Sequence, residues 1–222
     1  MERYAFIDVS NTKGTTKTVH GFSIDWQKLF HLLKGAKWQC REIFYYEGAM
    51  NSKSHKKKHT KLASIGYRVV SKVTFLHKNR EKRISFICET CNTTNSLIGF
   101  KTQCERCQLE KVLPLNDGGR HPKANFDVEL TVDALEYAAP DKEYLVFTGD
   151  GDFAYLAERL INRGVQVTFV SSTQKTSDSH NRFSTRLKEL IAREEIRAVE
   201  VGEKPRARII EINNWKNIIA KT

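Results

Sequence analysis

The stretch Leu145-Val-Phe-Thr-Gly-Asp-Gly-Asp-Phe153 decides the reading of the chain. Its apolar start has the length of a fully buried parallel strand. Two carboxylates, Asp150 and Asp152, follow where strand should give way to helix. Asp152 is placed to cap a helix from Phe153 to Ile161, which Gly164 closes. In an open α/β sheet, ligands bind beyond the carboxyl ends of the strands, where both acids would lie. Two such acids repel each other unless a cation or a proton sits between them. On this stretch alone, a turn residue and a cap with no chemistry fit equally well.

Working outward, the same alternation recurs on both sides. Tyr4 to Asp8 is a short apolar strand ending in a carboxylate, followed by Val9, Ser10 and Asn11 and then a loop with Thr, Lys and Gly. Trp26 to Lys34 repeats apolar residues at helical spacing between Asp25 and Gly35. Arg41 to Tyr46 reads as a second strand, and Arg68 to Leu76 alternates like another. Ala124 to Leu135 reads as a helix with Asp127 in its first turn, while Asp133 lies further round as an auxiliary group. Glu143 to Thr148 and Val165 to Val170 are the next strands. Ser171, at the end of the second, stands beside the proposed site, and Arg182 to Ile191 reads as a helix. Strands alternating with helices on short connections predict an α/β fold with a central parallel sheet covered on both faces.

Charge points to the partner. The 222 residues carry a formal net charge of +11, which suits a polyanion. Between Asn51 and Arg83, eight Lys and three Arg stand against one acid, Glu81. Lys53, Lys56, Lys57, Lys58 and Lys61 fall on an expected helix, and Arg68, Lys72 and Arg80 follow, with Lys123 just before the acid-bearing helix. These cations match a phosphate backbone, and Tyr67 and Phe75 supply faces for unpaired bases. A solvated lysine-rich helix face is the plainer reading of the same run. No apolar run approaches the ~18 residues of a membrane span. The amino terminus lacks the basic-then-apolar layout of a signal peptide, so an intracellular, cytoplasmic location is expected.

Four of the five cysteines form two Cys-x-x-Cys pairs, Cys88 with Cys91 and Cys104 with Cys107. In one short strand-rich segment they predict a closed, structural Zn²⁺ ribbon over residues 84–111, inserted into a domain of residues 1–83 and 112–222. A redox dithiol is the competing reading.

Phe6-Ile-Asp-Val-Ser-Asn11, Lys123 with Phe126-Asp127 and Asp133, Thr148-Gly-Asp-Gly-Asp-Phe153 and the later Gly164-Val-x-Val together resemble the NYN domains of the PIN-like nuclease superfamily. The resemblance implies a PIN-like three-layer sandwich and a divalent-metal-dependent nuclease, most often acting on RNA. Carried over, Asp8, Asp127, Asp150 and Asp152 match the acidic cluster, and Asn11 the polar residue after the first strand. Val9 stands where the family has Gly, and Thr148 where it has Ser. Hard carboxylate oxygens select Mg²⁺ or Mn²⁺. The expected function is therefore a metal-dependent endoribonuclease, and the alternative is an RNA-binding adaptor that keeps the fold without turnover. DNA stays open as a substrate, the ribbon offers a surface for a protein partner, and a homodimer is compatible with the sequence.

Overall fold

The computed structural model describes residues 1–49, 52–78, 84–97, 99–114, 120–174 and 182–221. The chain runs β1 (Glu2–Asp8), α1 (Val9–Thr18), α2 (Trp26–Lys34), β2 (Cys40–Ala49), α3 (Lys53–Ile65) and β3 (Arg68–Val73). Six short strands follow: β4 (Phe75–Lys78), β5 (Ile84–Ile87), β6 (Thr94–Leu97), β7 (Gly99–Gln103), β8 (Glu110–Pro114) and β9 (Arg120–Lys123). The alternation then resumes with α4 (Asp127–Glu136), β10 (Lys142–Phe147), a 3-10 turn (Gly151–Phe153), α5 (Ala154–Asn162), β11 (Gln166–Ser171) and α6 (Thr185–Val201). β12 (Ala207–Glu211), a second 3-10 turn (Ile212–Trp215) and α7 (Lys216–Ile219) close it. Two compact units result, one of Met1–Val73 with Ala124–Thr222 and one of Thr74–Lys123.

In the larger unit six parallel strands are ordered β12-β11-β10-β1-β2-β3. Tyr144 to Phe147 and Val167 to Val170 are buried throughout, as apolar runs covered on both faces must be. Alternate residues divide between two cores. Phe6, Phe44, Tyr46, Val146 and Phe169 meet Leu130 of α4, Leu160 of α5 and Leu187 of α6. Ile7, Tyr45, Leu145, Phe147 and Val170 meet α2 through Leu29 and Leu33, α3 through Leu62 and α7 through Ile219. This is the expected three-layer α/β arrangement around a parallel sheet. β1 is central: the chain leaves it toward β2 on one side and returns beside it as β10 on the other. The order of strands therefore reverses between β1 and β10, and a crevice opens there at their carboxyl ends.

Three local readings are corrected. The loop expected after Val9 is the helix α1. Its sequence, Val-Ser-Asn-Thr-Lys-Gly-Thr-Thr-Lys-Thr, has almost no amphipathic signal; the Asp8 carboxylate caps it and Val9, Thr12, Thr15 and Thr16 are buried beneath it. The single strand expected from Arg68 to Leu76 ends at Val73, and Phe75 pairs with Lys123 in the smaller unit. The helix expected from Arg182 starts at Thr185, because Ser184 accepts a hydrogen bond from the Arg186 N–H as its N-cap.

The smaller unit is built of antiparallel pairs, β4 with β9, β5 with β6, and β7 with β8. Among the described residues no helix is long and apolar enough to cross a membrane.

Candidate active site

Asp8 ends β1 and turns its carboxylate onto the first turn of α1, where Oδ1 accepts from the Asn11 N–H at 3.1 Å. The Asn11 side chain in turn accepts from the Gly149 N–H at 3.0 Å. The Thr12 hydroxyl lies 2.6 Å from the Asp8 carbonyl and 3.1 Å from the Phe147 carbonyl. One helical turn thus clasps the ends of β1 and β10 together. The Asn11 side-chain oxygen thus holds the strand-end loop in place.

Beyond β10 the Asp150 N–H donates to the Thr148 hydroxyl at 3.2 Å, and Asp150 Oδ1 accepts from the Asp152 N–H at 3.1 Å. Asp150 is therefore the cap of the Gly151–Phe153 turn; the helix that Asp152 was expected to cap instead starts at Ala154, with Phe153 at its N-cap and no side-chain cap bond. Asp152 is left exposed, 3.8 Å from Arg186. With the two side chains 70% and 73% exposed, that pair contributes about 0–1 kcal/mol.

Asp127 begins α4 in a reciprocal contact with Asn125, whose amide nitrogen donates to Asp127 Oδ2 and whose oxygen accepts the Asp127 N–H, both at 2.8 Å. Burial is the main force on Asp8 and pushes its carboxyl up to about 6; the charges of Asp127 and Asp150 push the same way, against the Asn11 hydrogen bond. Carboxylates from two other elements thus bear on Asp8 at the switch point. They are not clenched: among the described residues no three Asp, Glu, His or Cys side chains lie close enough to hold a metal ion as they stand. Carboxylate oxygens as donors would suit a hard cation that keeps several of its waters.

The other expected residues have definite places. Asp133 accepts a hydrogen bond from the buried Tyr46 hydroxyl at 2.8 Å, tying α4 to β2. Ser171 is 2% exposed, and its hydroxyl has no partner among the described residues. Lys53, Lys56, Lys57 and Lys61 are exposed on α3. Lys58 and Lys13 both bind Glu47, at the end of β2. Burial of Glu47 opposes its ionisation and is outweighed by the two lysines, which bring its carboxyl down to about 2. Arg68 pairs with Glu42 at 2.8 Å, and Lys72 with Glu129 and, at 3.0 Å, the Asn125 carbonyl. Lys123 is a backbone partner of Phe75, and Arg80 lies outside the described residues.

The sequence missed three residues of the cleft. A space of about 410 Å³ is lined by Asn11, Gly149, Asp150, Gly151 and Asp152 together with Arg182, Ser184 and Arg186. The Ser184 N–H donates to the Gly149 carbonyl at 2.9 Å. A Cβ on Gly149 would sit 1.8 Å from the Arg182 carbonyl oxygen, and one on Gly151 would sit 2.3 Å from the Ser184 hydroxyl. The glycines of Thr-Gly-Asp-Gly-Asp are there so that a distant segment can lie on the loop. That need for close approach was the signal available in the sequence.

In the smaller unit the two Cys-x-x-Cys pairs sit at the tips of separate hairpins with matching backbones. Cys88 N–H donates to Thr93 and accepts at its carbonyl from Asn92, at 3.0 and 2.8 Å; Cys104 does the same with Leu109 and Gln108 at the same distances. Asn92 and Gln108 share a left-handed φ of 57°. The four thiols are free, and the described residues do not gather them into a metal-holding group.

A family model described as NYN domain matches residues 73–187, slightly more than half of the chain. Among solved structures, the crystal structure of a protein of unknown function from Vibrio parahaemolyticus RIMD 2210633 is similar, with a TM-score of 0.56 and 17% identity. The likeness covers 98% of this chain and 95% of that one, and at this identity it is one of fold. Comparison with curated proteins gives no match.

Proposed function

The chain belongs to the NYN domain family of PIN-like, nuclease-like domains, and on that premise we propose that it is a divalent-metal-dependent endoribonuclease. The observation that supports this reading is the half-buried Asp8 carboxyl at the end of β1, on which the charges of Asp127, from the start of α4, and Asp150, beyond β10, both bear. In the proposed mechanism these three would hold Mg²⁺ or Mn²⁺, with Asp152 beside them, and the ion would supply activation of water and neutralisation of charge on the phosphodiester. The chain's own residues do the positioning. Asn11 and Thr12 fix the loop that carries Asp150, and the Asp150 cap on the Asp152 N–H fixes that carboxylate's direction. Lys53, Lys56, Lys57 and Lys61 attract the polyanion from outside the cleft.

Cleavage of single-stranded RNA, double-stranded RNA and single-stranded DNA with Mn²⁺ tests the proposal. The wild type is expected to cut RNA, and Asp150→Asn to lose at least about 100-fold in rate while still binding. Equal cleavage by both proteins would reject the assignment. A second reading, RNA binding without turnover, draws on the open spacing of the carboxylates and on the buried Val9 in the family's glycine position. Salt-sensitive binding with no metal-dependent product would favour it.

For the smaller unit we propose a structural Zn²⁺ held by Cys88, Cys91, Cys104 and Cys107. The support is the pair of twin hairpin tips, each presenting two free thiols with the same turn. Two such tips complete a tetrahedral four-thiolate site only together. Metal analysis of the purified protein should find one Zn²⁺ per chain, lost in Cys88→Ser and in Cys104→Ser alike. Zinc retained by either variant would contradict a shared site.

A further inference from the structure

A cleft lined by carboxylates repels the polyanion it is to cut, so substrate must also meet fixed cations there. The excess charge of residues 51–83 suggests where to look, yet Lys58 and Lys72 are engaged by Glu47 and Glu129. The cations that line the cleft itself are Arg182 and Arg186. Arg182 reaches across to α1, its Nη1 3.3 Å from the place a Cβ would take on Gly14. Its Nε is buried and has no hydrogen-bond partner among the described residues. Among the described residues the Arg186 guanidinium makes one ion pair, the solvated contact with Asp152 at 3.8 Å, a pairing a phosphate readily replaces.

The position of these side chains is fixed by backbone. The Ser184 hydrogen bond to Gly149 and the bare α-carbons of Gly149 and Gly151 seat residues 182–184 on the loop that carries Asp150. Ser184 also opens α6, whose 17 residues aim a helix N-terminus at the same cleft. Guanidinium forks match phosphate oxygens in pairs, which an ammonium does not.

We propose that Arg182 and Arg186 form a clamp for a backbone phosphate of single-stranded nucleic acid, next to the phosphodiester that is cut. The inference rests on the nuclease reading for its substrate, and the two can fail separately. A labelled ten-nucleotide RNA is titrated, in buffer without divalent ions, onto wild type, Arg186→Ala, Arg182→Ala and Arg182→Lys. Each variant is expected to weaken binding roughly five- to twenty-fold. The alanine changes should also flatten the salt dependence, by about 0.7 in slope for each phosphate that is no longer neutralised. Arg182 is half-buried, so Arg182→Ala is read only if its circular dichroism matches wild type. Arg186 is exposed, and Arg182→Lys keeps the stem and charge while removing the fork. Unchanged affinity and slope in Arg186→Ala together with unchanged affinity in Arg182→Lys would overturn the clamp, as would a wild type that does not bind. A parallel Mn²⁺ cleavage assay separates the two ideas. Weakened binding in the variants with no cleavage by wild type would sink the nuclease and leave the clamp. Cleavage by wild type, with binding undiminished in both variants, would do the reverse.

Discussion

Asp8 holds the site's electrostatic tension. Its carboxylate is a helix cap, a good use for an acid, and also a half-buried charge facing two others. Because its folded pKa is raised, from 3.8 to about 6, the folded state binds a proton more tightly than the unfolded chain does. That contribution to stability is fully present below pH 3.8 and is lost as pH rises through 6. Asp8→Asn keeps a capping oxygen and removes the charge. In chelator it should be more stable than wild type at pH 8 by roughly 1–3 kcal/mol, and the gap should narrow at pH 5. Urea denaturation at the two pH values checks this; a gap that does not change with pH would contradict it. At the same scale, the acids were legible in the sequence because each falls at the end of an apolar run or the start of a helical one. The arginines were not. Arg182 and Arg186 lie some thirty residues beyond the loop they serve, and nothing local marks them.

Among elements, the strands were the most legible. Runs such as Tyr4 to Ile7 and Leu145 to Phe147 are buried on both faces and have no other use for so much apolar surface. Helix α1 was illegible because tertiary contacts make it, with polar and β-branched residues that carry little helical periodicity of their own. The junction of α6 with the β10 loop was legible only as two unexplained glycines. It yields a direct expectation: Gly149→Ala forces a methyl group into the Arg182 carbonyl. Either the loop or residues 182–184 must move, at about 1–3 kcal/mol in stability. Thermal denaturation and a cleavage assay should both register the change. Full activity and an unaltered midpoint would mean that the close approach is not needed.

For the molecule as a whole, the two Cys-x-x-Cys pairs pointed to an insert over residues 84–111, and the smaller compact unit runs from Thr74 to Lys123. The chain folds as a sheet-centred unit and a smaller unit of short antiparallel pairs. Charge at this scale divides into two jobs. The exposed lysines of α3 provide a diffuse field, while those nearer the sheet, Lys13, Lys58 and Lys72, are bound to carboxylates and hold elements in place. Composition could show the sum of these cations and not the division, because burial and pairing exist only once the chain has folded.

The central claim is that Asp8, Asp127 and Asp150, brought from three elements to the strand-order reversal, share one cation. Direct Mn²⁺ titration of the wild type and of the three Asp→Asn variants, read by calorimetry or electron paramagnetic resonance, tests it without reference to any substrate. Each single substitution is expected to weaken binding at least roughly tenfold. The pairwise combinations should add little, since the groups act on one ion. Wild-type affinity in any of the three variants, or no Mn²⁺ binding by the wild type at all, would contradict it.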